Sequence, residues 1–127
     1  KYPQYDLANH PEFHDHLVMQ PTCENRLAFF YIKPGHVQAV REYFKAHWPD
    51  DFILVEPGPA LKLGLFGKGP FHPRAIERLG DLMAVAKRDA YLWWAPKPNP
   101  MAGRHGGLSA EEMLVPFYAL PLGELGA

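Results

Sequence analysis

The run Leu27-Ala28-Phe29-Phe30-Tyr31-Ile32-Lys33, stopped by Pro34-Gly35 and followed by Val37, Val40, Phe44 and Trp48, decides the fold class. The run is short, aromatic-rich and continuously apolar up to its lysine, the pattern of a strand covered on both faces. The apolar residues that follow recur at spacings of three and four, with Gln38, Arg41, Glu42 and Lys45 opposite them. That spacing predicts an amphipathic helix, ended by Pro49, which cannot continue the hydrogen-bond ladder. Phe52-Ile53-Leu54-Val55 predicts a second strand, closed by Glu56-Pro57-Gly58-Pro59. Strand, helix and strand in one short stretch point to a mixed fold of helices and sheet.

Working downstream, Leu61, Leu63, Leu65 and Phe66 lie among three glycines and predict one helical turn and a loop. His72-Pro73 opens a further helix, with Ile76 and Leu79 toward the core and Gly80 as its stop. Leu82 to Lys87 predicts a strand that turns at Asp89-Ala90 into Tyr91-Leu92-Trp93-Trp94 as a hairpin. Pro96, Pro98 and Pro100 then impose an extended linker. Upstream, residues 1–22 read as a polar linker with a short helix, Glu12 to Leu17, opened by Pro11. Leu114 to Leu120 reads as a final strand whose edge is restricted by Pro116. The order of elements over 23–99 predicts an α+β, ferredoxin-like split β-α-β sandwich, two helices on a mainly antiparallel sheet.

Composition narrows the function. The 127 residues are 47% apolar and 21% charged, enough for one domain with a real core and too apolar for a disordered chain. The net charge of −1, without a lysine–arginine cluster, argues against nucleic acid as a partner. No apolar run reaches the length of a membrane-spanning helix. One cysteine, Cys23, cannot form an internal disulfide, which fits a reducing compartment and favours the cytoplasm. The 14 prolines are scattered and bound apolar segments, as punctuation does. Lys1 stands where a complete chain has Met, which leads us to expect a piece of something longer.

Several motifs invite chemistry and do not sustain it. His14-Asp15-His16 has the look of a metal pair, but on a helix the two rings sit about 200° apart. His10 and His14 are better spaced, yet His10 falls at the helix start, so a solvated polar helix is the expected reading. Gly64-Leu65-Phe66-Gly67-Lys68-Gly69 lacks the spacing and the Ser or Thr of a phosphate loop. Cys23 has no cationic neighbour to activate it. Tyr91, Trp93 and Trp94 lack the basic residues that base stacking needs, and Tyr91 and Trp93 are expected to fill one face of the sandwich.

Gly103-Arg104-His105-Gly106-Gly107 is a stronger signal. Three glycines remove bulk around one imidazole and suit a histidine pushed into a crowded polar site. Ser109-Ala110-Glu111-Glu112 follows as a capping box, with Ser109 at the N-cap of a short helix and Glu112 at its third position.

Gly103 to Pro116 as a block resembles the C-terminal signature of the alkaline phosphatase superfamily, in its type I phosphodiesterase/nucleotide pyrophosphatase-like branch. Softer matches run upstream through His10-Pro11-Glu12-Phe13, Pro21-Thr22, Arg26 to Tyr31, Lys33-Pro34-Gly35, Gly64 to Gly67 and Arg78 to Leu82. The resemblance implies hydrolysis of phosphoester or pyrophosphate bonds in a small phosphoester or nucleotide substrate. It further implies two metal ions, usually zinc, that stabilise the phosphoryl transition state, and a Thr or Ser nucleophile. By resemblance, His105 is the family's last metal-ligating histidine. The nucleophile segment and the Asp-His-Gly ligand motif have no counterpart here, because Asp15-His16 is followed by Leu17.

The implied organisation is therefore a cap-like α+β subdomain over 23–99, followed by residues 100–127 as metal-ligand loop and return strand of an α/β alkaline-phosphatase-like core. The upstream catalytic portion of the same protein would be its partner. The chain alone is expected to be inactive and to hold no zinc. Two alternatives compete: a standalone ferredoxin-like binding or dimerisation module, and a small metallohydrolase built on His10, His14 and His16.

Overall fold

A computed structural model of the chain describes residues 4–97 and 101–121. Its strands are β1 (Gln4–Asp6), β2 (Thr22–Glu24), β3 (Leu27–Phe30), β4 (Phe52–Val55), β5 (Leu82–Ala86) and β6 (Tyr91–Trp93). Its helices are α1 (Pro11–His14), α2 (Val37–His47), α3 (Pro57–Lys62) and α4 (Ala110–Met113). Four strands form an antiparallel sheet in the order β2-β3-β5-β4. β3 and β4, joined through α2, both pair antiparallel with β5 and so run parallel to one another with β5 between them. That is a mixed α+β fold containing one split β-α-β unit.

The two central strands are buried throughout, as their continuous apolar sequence requires. Successive side chains alternate between two clusters. Ala28, Phe30, Leu82, Ala84 and Ala86 face the larger one with Val40 and Phe44 of α2, Trp48, Phe52 and, from the N-terminal segment, Leu7, Phe13 and Leu17. Phe13, Phe30, Phe44 and Trp48 meet there mostly edge to face, the arrangement that opposed ring quadrupoles prefer. Leu27, Phe29, Met83 and Val85 face the second cluster, closed by Ala60 and Leu79 and bordered by Leu61, Leu65 and Leu108. α2 ends where Pro49 demands it, and the Trp48 amide closes its last turn on the Phe44 carbonyl at 2.8 Å.

Five expectations change. The segment before β2 is no solvated linker: β1 pairs with β6, and Leu7 and Phe13 are fully buried. Its helix is the single turn Pro11–His14 rather than Glu12 to Leu17. The predicted helix after Pro73 is a 3-10 turn, Ile76–Arg78; Leu79 is buried but Ile76 is half exposed. A spacing of three satisfies one tight turn as well as it satisfies a helix. β5 and β6 form no hairpin, because both edges of β5 are taken by β3 and β4. After Arg88, held at a left-handed φ of 48°, the chain leaves the sheet and β6 pairs in parallel with β1 instead. The final strand expected over 114–120 does not form, for a strand needs a neighbour and Pro116 offers no amide. Of the predicted proline linker, Pro98 and Pro100 lie outside the described residues.

Gly80 is the stop it was read to be. Its φ of +70° turns the chain so that the Asp81 amide reaches the Phe30 carbonyl at 2.7 Å. The Asp81 carboxylate then accepts the Ile32 amide at 2.7 Å, tying the entry of β5 to the end of β3.

Candidate functional site

The glycine-framed histidine and the capping box form one docked loop. Ser109 caps the start of α4, and Glu112, at the third helical position, accepts the Ser109 amide at 3.3 Å. A helix of one turn leaves most of that carboxylate's capacity free, and the Gly107 amide takes part of it at 2.9 Å. Arg26, in the turn between β2 and β3, takes the rest through Nε at 2.6 Å and Nη2 at 2.9 Å. Its Nη1 donates to the Ala90 carbonyl at 2.7 Å, so one guanidinium joins the sheet, the approach to β6 and the C-terminal loop. Both side chains are nearly buried, 6% and 12% exposed. A forked, charge-assisted pair of this kind fixes geometry as well as position.

The glycines serve that docking rather than the imidazole. A Cβ on Gly107 would lie 2.4 Å from Glu112 Oε2, and one on Gly106, at φ +87°, would lie 2.6 Å from Glu24 Cβ and Cγ. A Cβ on Gly103 meets nothing within 4 Å. Arg104 lies over the rings of Tyr91 and Trp93, 4.6 and 5.5 Å from their centroids, and covers β6 on that side. Leu108 reaches the second core cluster. The crowded polar site expected for His105 is absent; its side chain is 74% exposed, with the Glu24 carboxylate 3.9 Å from Nδ1.

The Arg26 guanidinium beside Glu112 holds its carboxyl at about 2, assisted by the Gly107 and Ser109 amides and opposed by partial burial. A carboxyl held below its ordinary 4.5 in the folded chain stabilises the fold fully above that value and loses the contribution as pH falls toward 2. Allowing for screening, we expect a loss of ~1–2 kcal/mol between pH 6 and pH 3. Urea denaturation at the two pH values, with Glu112→Gln alongside, measures it; an equal loss in that variant would assign the effect to other groups.

Between this loop and the β1–β6 pair lies an open cleft of about 1120 Å³. Tyr5, His10, Arg88, Tyr91, Arg104 and Glu111 are among its walls; His105 is not. Three arginines face it with Asp6, Asp89, Glu111 and Glu112, so its charge is mixed. The Tyr5 hydroxyl donates to Asp51, which with burial pushes the phenol up to about 12 and keeps it neutral.

The remaining histidines do not converge. His10 Nδ1 pairs with the Tyr43 hydroxyl at 2.8 Å, and burial, then His47, pulls its pKa down. His16 Nδ1 meets His36 Nδ1 at 2.9 Å, and His14 lies beside the Phe13 ring. His10, His14 and His16 thus have separate partners, and they do not form the three-histidine cluster that the metallohydrolase alternative requires. Burial pushes the Cys23 thiol up, away from the thiolate a nucleophile needs.

Among the described residues no three histidine, cysteine or carboxylate side chains come together as a metal cluster. His105 and Glu24 by themselves are too few donors for zinc, which takes three or four. Among the described residues, no helix is long and apolar enough to cross a membrane. Sequence reasoning missed the partnership of Arg26 with Glu112. Its one local signal was an arginine set directly before a strand buried on both faces, where a cation needs a partner. No protein-family model, curated protein or solved structure matches the chain.

Proposed function

We propose that the chain is the C-terminal portion of a metal-dependent phosphodiesterase or nucleotide pyrophosphatase, acting on phosphoester or pyrophosphate bonds of small substrates. The observation that carries this reading is the presentation of His105. Its loop is locked on both flanks through Arg26, Glu112 and Arg104, yet the imidazole itself faces outward. Functional side chains are held on rigid, well-supported elements, and this one stands on such a support with its ring free to meet groups supplied from elsewhere.

The segment after α4 supports the same reading. Leu114, Val115, Phe117, Tyr118 and Leu120 are 67–89% exposed, a contiguous apolar stretch of the kind that marks an interaction surface. As the return strand of an α/β alkaline-phosphatase-like core, it would be covered by that core. Residues 23–99, with the split β-α-β unit, then serve as a ferredoxin-like cap at the mouth of the substrate site. The nucleophile and the other ligands of a two-metal site come, in this reading, from the upstream catalytic portion of the same protein. The same apolar stretch also favours a rival, a ferredoxin-like module that dimerises through it.

The gene decides between them. A reading frame that extends upstream through a Thr or Ser nucleophile and an Asp-His-Gly motif is expected, and a frame starting near Lys1 would overturn the proposal. In the longer protein, His105→Ala should lower bound zinc from two equivalents toward one while leaving the melting temperature of the 127-residue chain unchanged within about 2 °C. The chain alone should hydrolyse no phosphodiester with added zinc. Zinc-dependent turnover that vanishes in His105→Ala would overturn its inactivity.

A further inference from the structure

From Lys62, the last residue of α3, to Arg78 before the buried Leu79, the chain makes an excursion beside the second core cluster that is opposite in charge to the rest of the chain. Residues 62–78 carry Lys62, Lys68, Arg74 and Arg78 against the single acid Glu77. The excursion is net +3 in a chain of net −1, so the remaining residues are net −4. Leu61 and Leu65 anchor it on the second cluster, and Phe66 meets Phe29 edge-on at 6.1 Å. Gly64 and Gly67, at φ +77° and +92° and joined by an amide-to-carbonyl bond of 2.9 Å, make the tight turn there.

The apolar side chains of this excursion do not all turn inward. Leu63 is 87% exposed, Ile76 47%, and Phe66 and Phe71 37% each. All four basic residues are exposed too, with Arg74 engaging Glu77 at 2.7 Å. A solvated loop has no use for Leu63 and Phe71 in water, and a polyanion would need the charges without them. A neutral protein partner would need the apolar groups without a local excess of positive charge. Both features together match the physics of an anionic membrane surface, where apolar insertion and headgroup attraction add.

We propose that residues 62–78 dock the protein on an anionic phospholipid bilayer. Leu63, Phe66 and Phe71 enter the interface, and Lys62, Lys68 and Arg78 meet the headgroups. The proposal is independent of the phosphodiesterase reading.

Co-sedimentation of the full chain with vesicles of phosphatidylcholine, with and without phosphatidylserine, tests it at low and high salt. Binding to the phosphatidylserine vesicles should be tighter by about tenfold or more and should weaken with salt. Lys62→Glu/Lys68→Glu and Leu63→Ser/Phe71→Ser change exposed positions only, so circular dichroism should show both folded. Each should lower vesicle partition by about tenfold or more. Absence of wild-type binding, or undiminished binding by either variant, overturns the proposal. So does retention on heparin without vesicle binding, which would assign the charges to a polyanion. Self-association lost in Leu63→Ser/Phe71→Ser, with vesicles ignored, would equally overturn it in favour of a second copy of the chain.

Discussion

Glu112→Ala is expected to destabilise the chain by about 3–5 kcal/mol, a large part of the stability of an ordinary domain. The loss does not come from the ion pair's intrinsic strength, which desolvation largely offsets. It comes from what remains: a 6% exposed guanidinium with two donors unmatched, and Gly107 and Ser109 amides without their acceptor. Among the described residues, the Ala90 carbonyl alone would still hold Arg26. Chemical denaturation reads the size of the effect, and the double-mutant cycle with Arg26→Met reads its cause. Removing both partners should cost clearly less than the two single losses summed, because no buried charge is then left alone. Additive losses would show that the pair does not couple the loop to the sheet. Limited proteolysis should also cut near residues 101–108 in Glu112→Ala and spare the wild type.

Gly80→Ala is the second large effect, expected at about 3 kcal/mol or more. Two penalties combine there. An L-residue at φ +70° occupies the left-handed region, and the added Cβ would lie 2.5 Å from the Phe30 carbonyl oxygen, a backbone atom that cannot swing aside. Relief requires moving the entry of β5, which would lengthen the Asp81-to-Phe30 bond and disturb the Ile32 bond to the Asp81 carboxylate. Thermal denaturation should show a fall well beyond that of Gly67→Ala, where φ is also positive but nothing lies within 4 Å of the new methyl. Equal falls at the two glycines would mean that backbone conformation alone sets the cost.

The contrast between those glycines also marks how far the sequence could be read. Gly80 announced its turn because it closes a local pattern, Ile76 and Leu79, and the strands Leu27–Phe30, Phe52–Val55 and Leu82–Ala86 were legible for the same reason. A central strand buried on both faces writes its burial into consecutive residues. Pairing partners are not written that way. Tyr91–Trp93 reads as a strand, but nothing local says that β5 is already flanked on both sides and that β1 is its neighbour. The site shows the same division. The capping box was legible over four residues and is present, while the arginine that completes it lies 86 positions away. The three glycines read as clearing space around His105, but Gly106 and Gly107 make room for Glu24 and Glu112, a Cβ on Gly103 meets nothing, and the histidine points outward.

The apolar segment after α4 has a consequence for how the chain behaves in solution. Phe117-Tyr118-Ala119-Leu120 is the sort of window that seeds intermolecular β-stacking when left uncovered. Pro116 and Pro121 bracket it, so the window is cut to four residues, shorter than the six or seven that a steric zipper requires. Pro116→Ala would join Leu114 and Val115 to that window in an unbroken run of seven residues. The prolines thus act as gatekeepers, letting an exposed apolar segment stay uncovered without recruiting copies of itself.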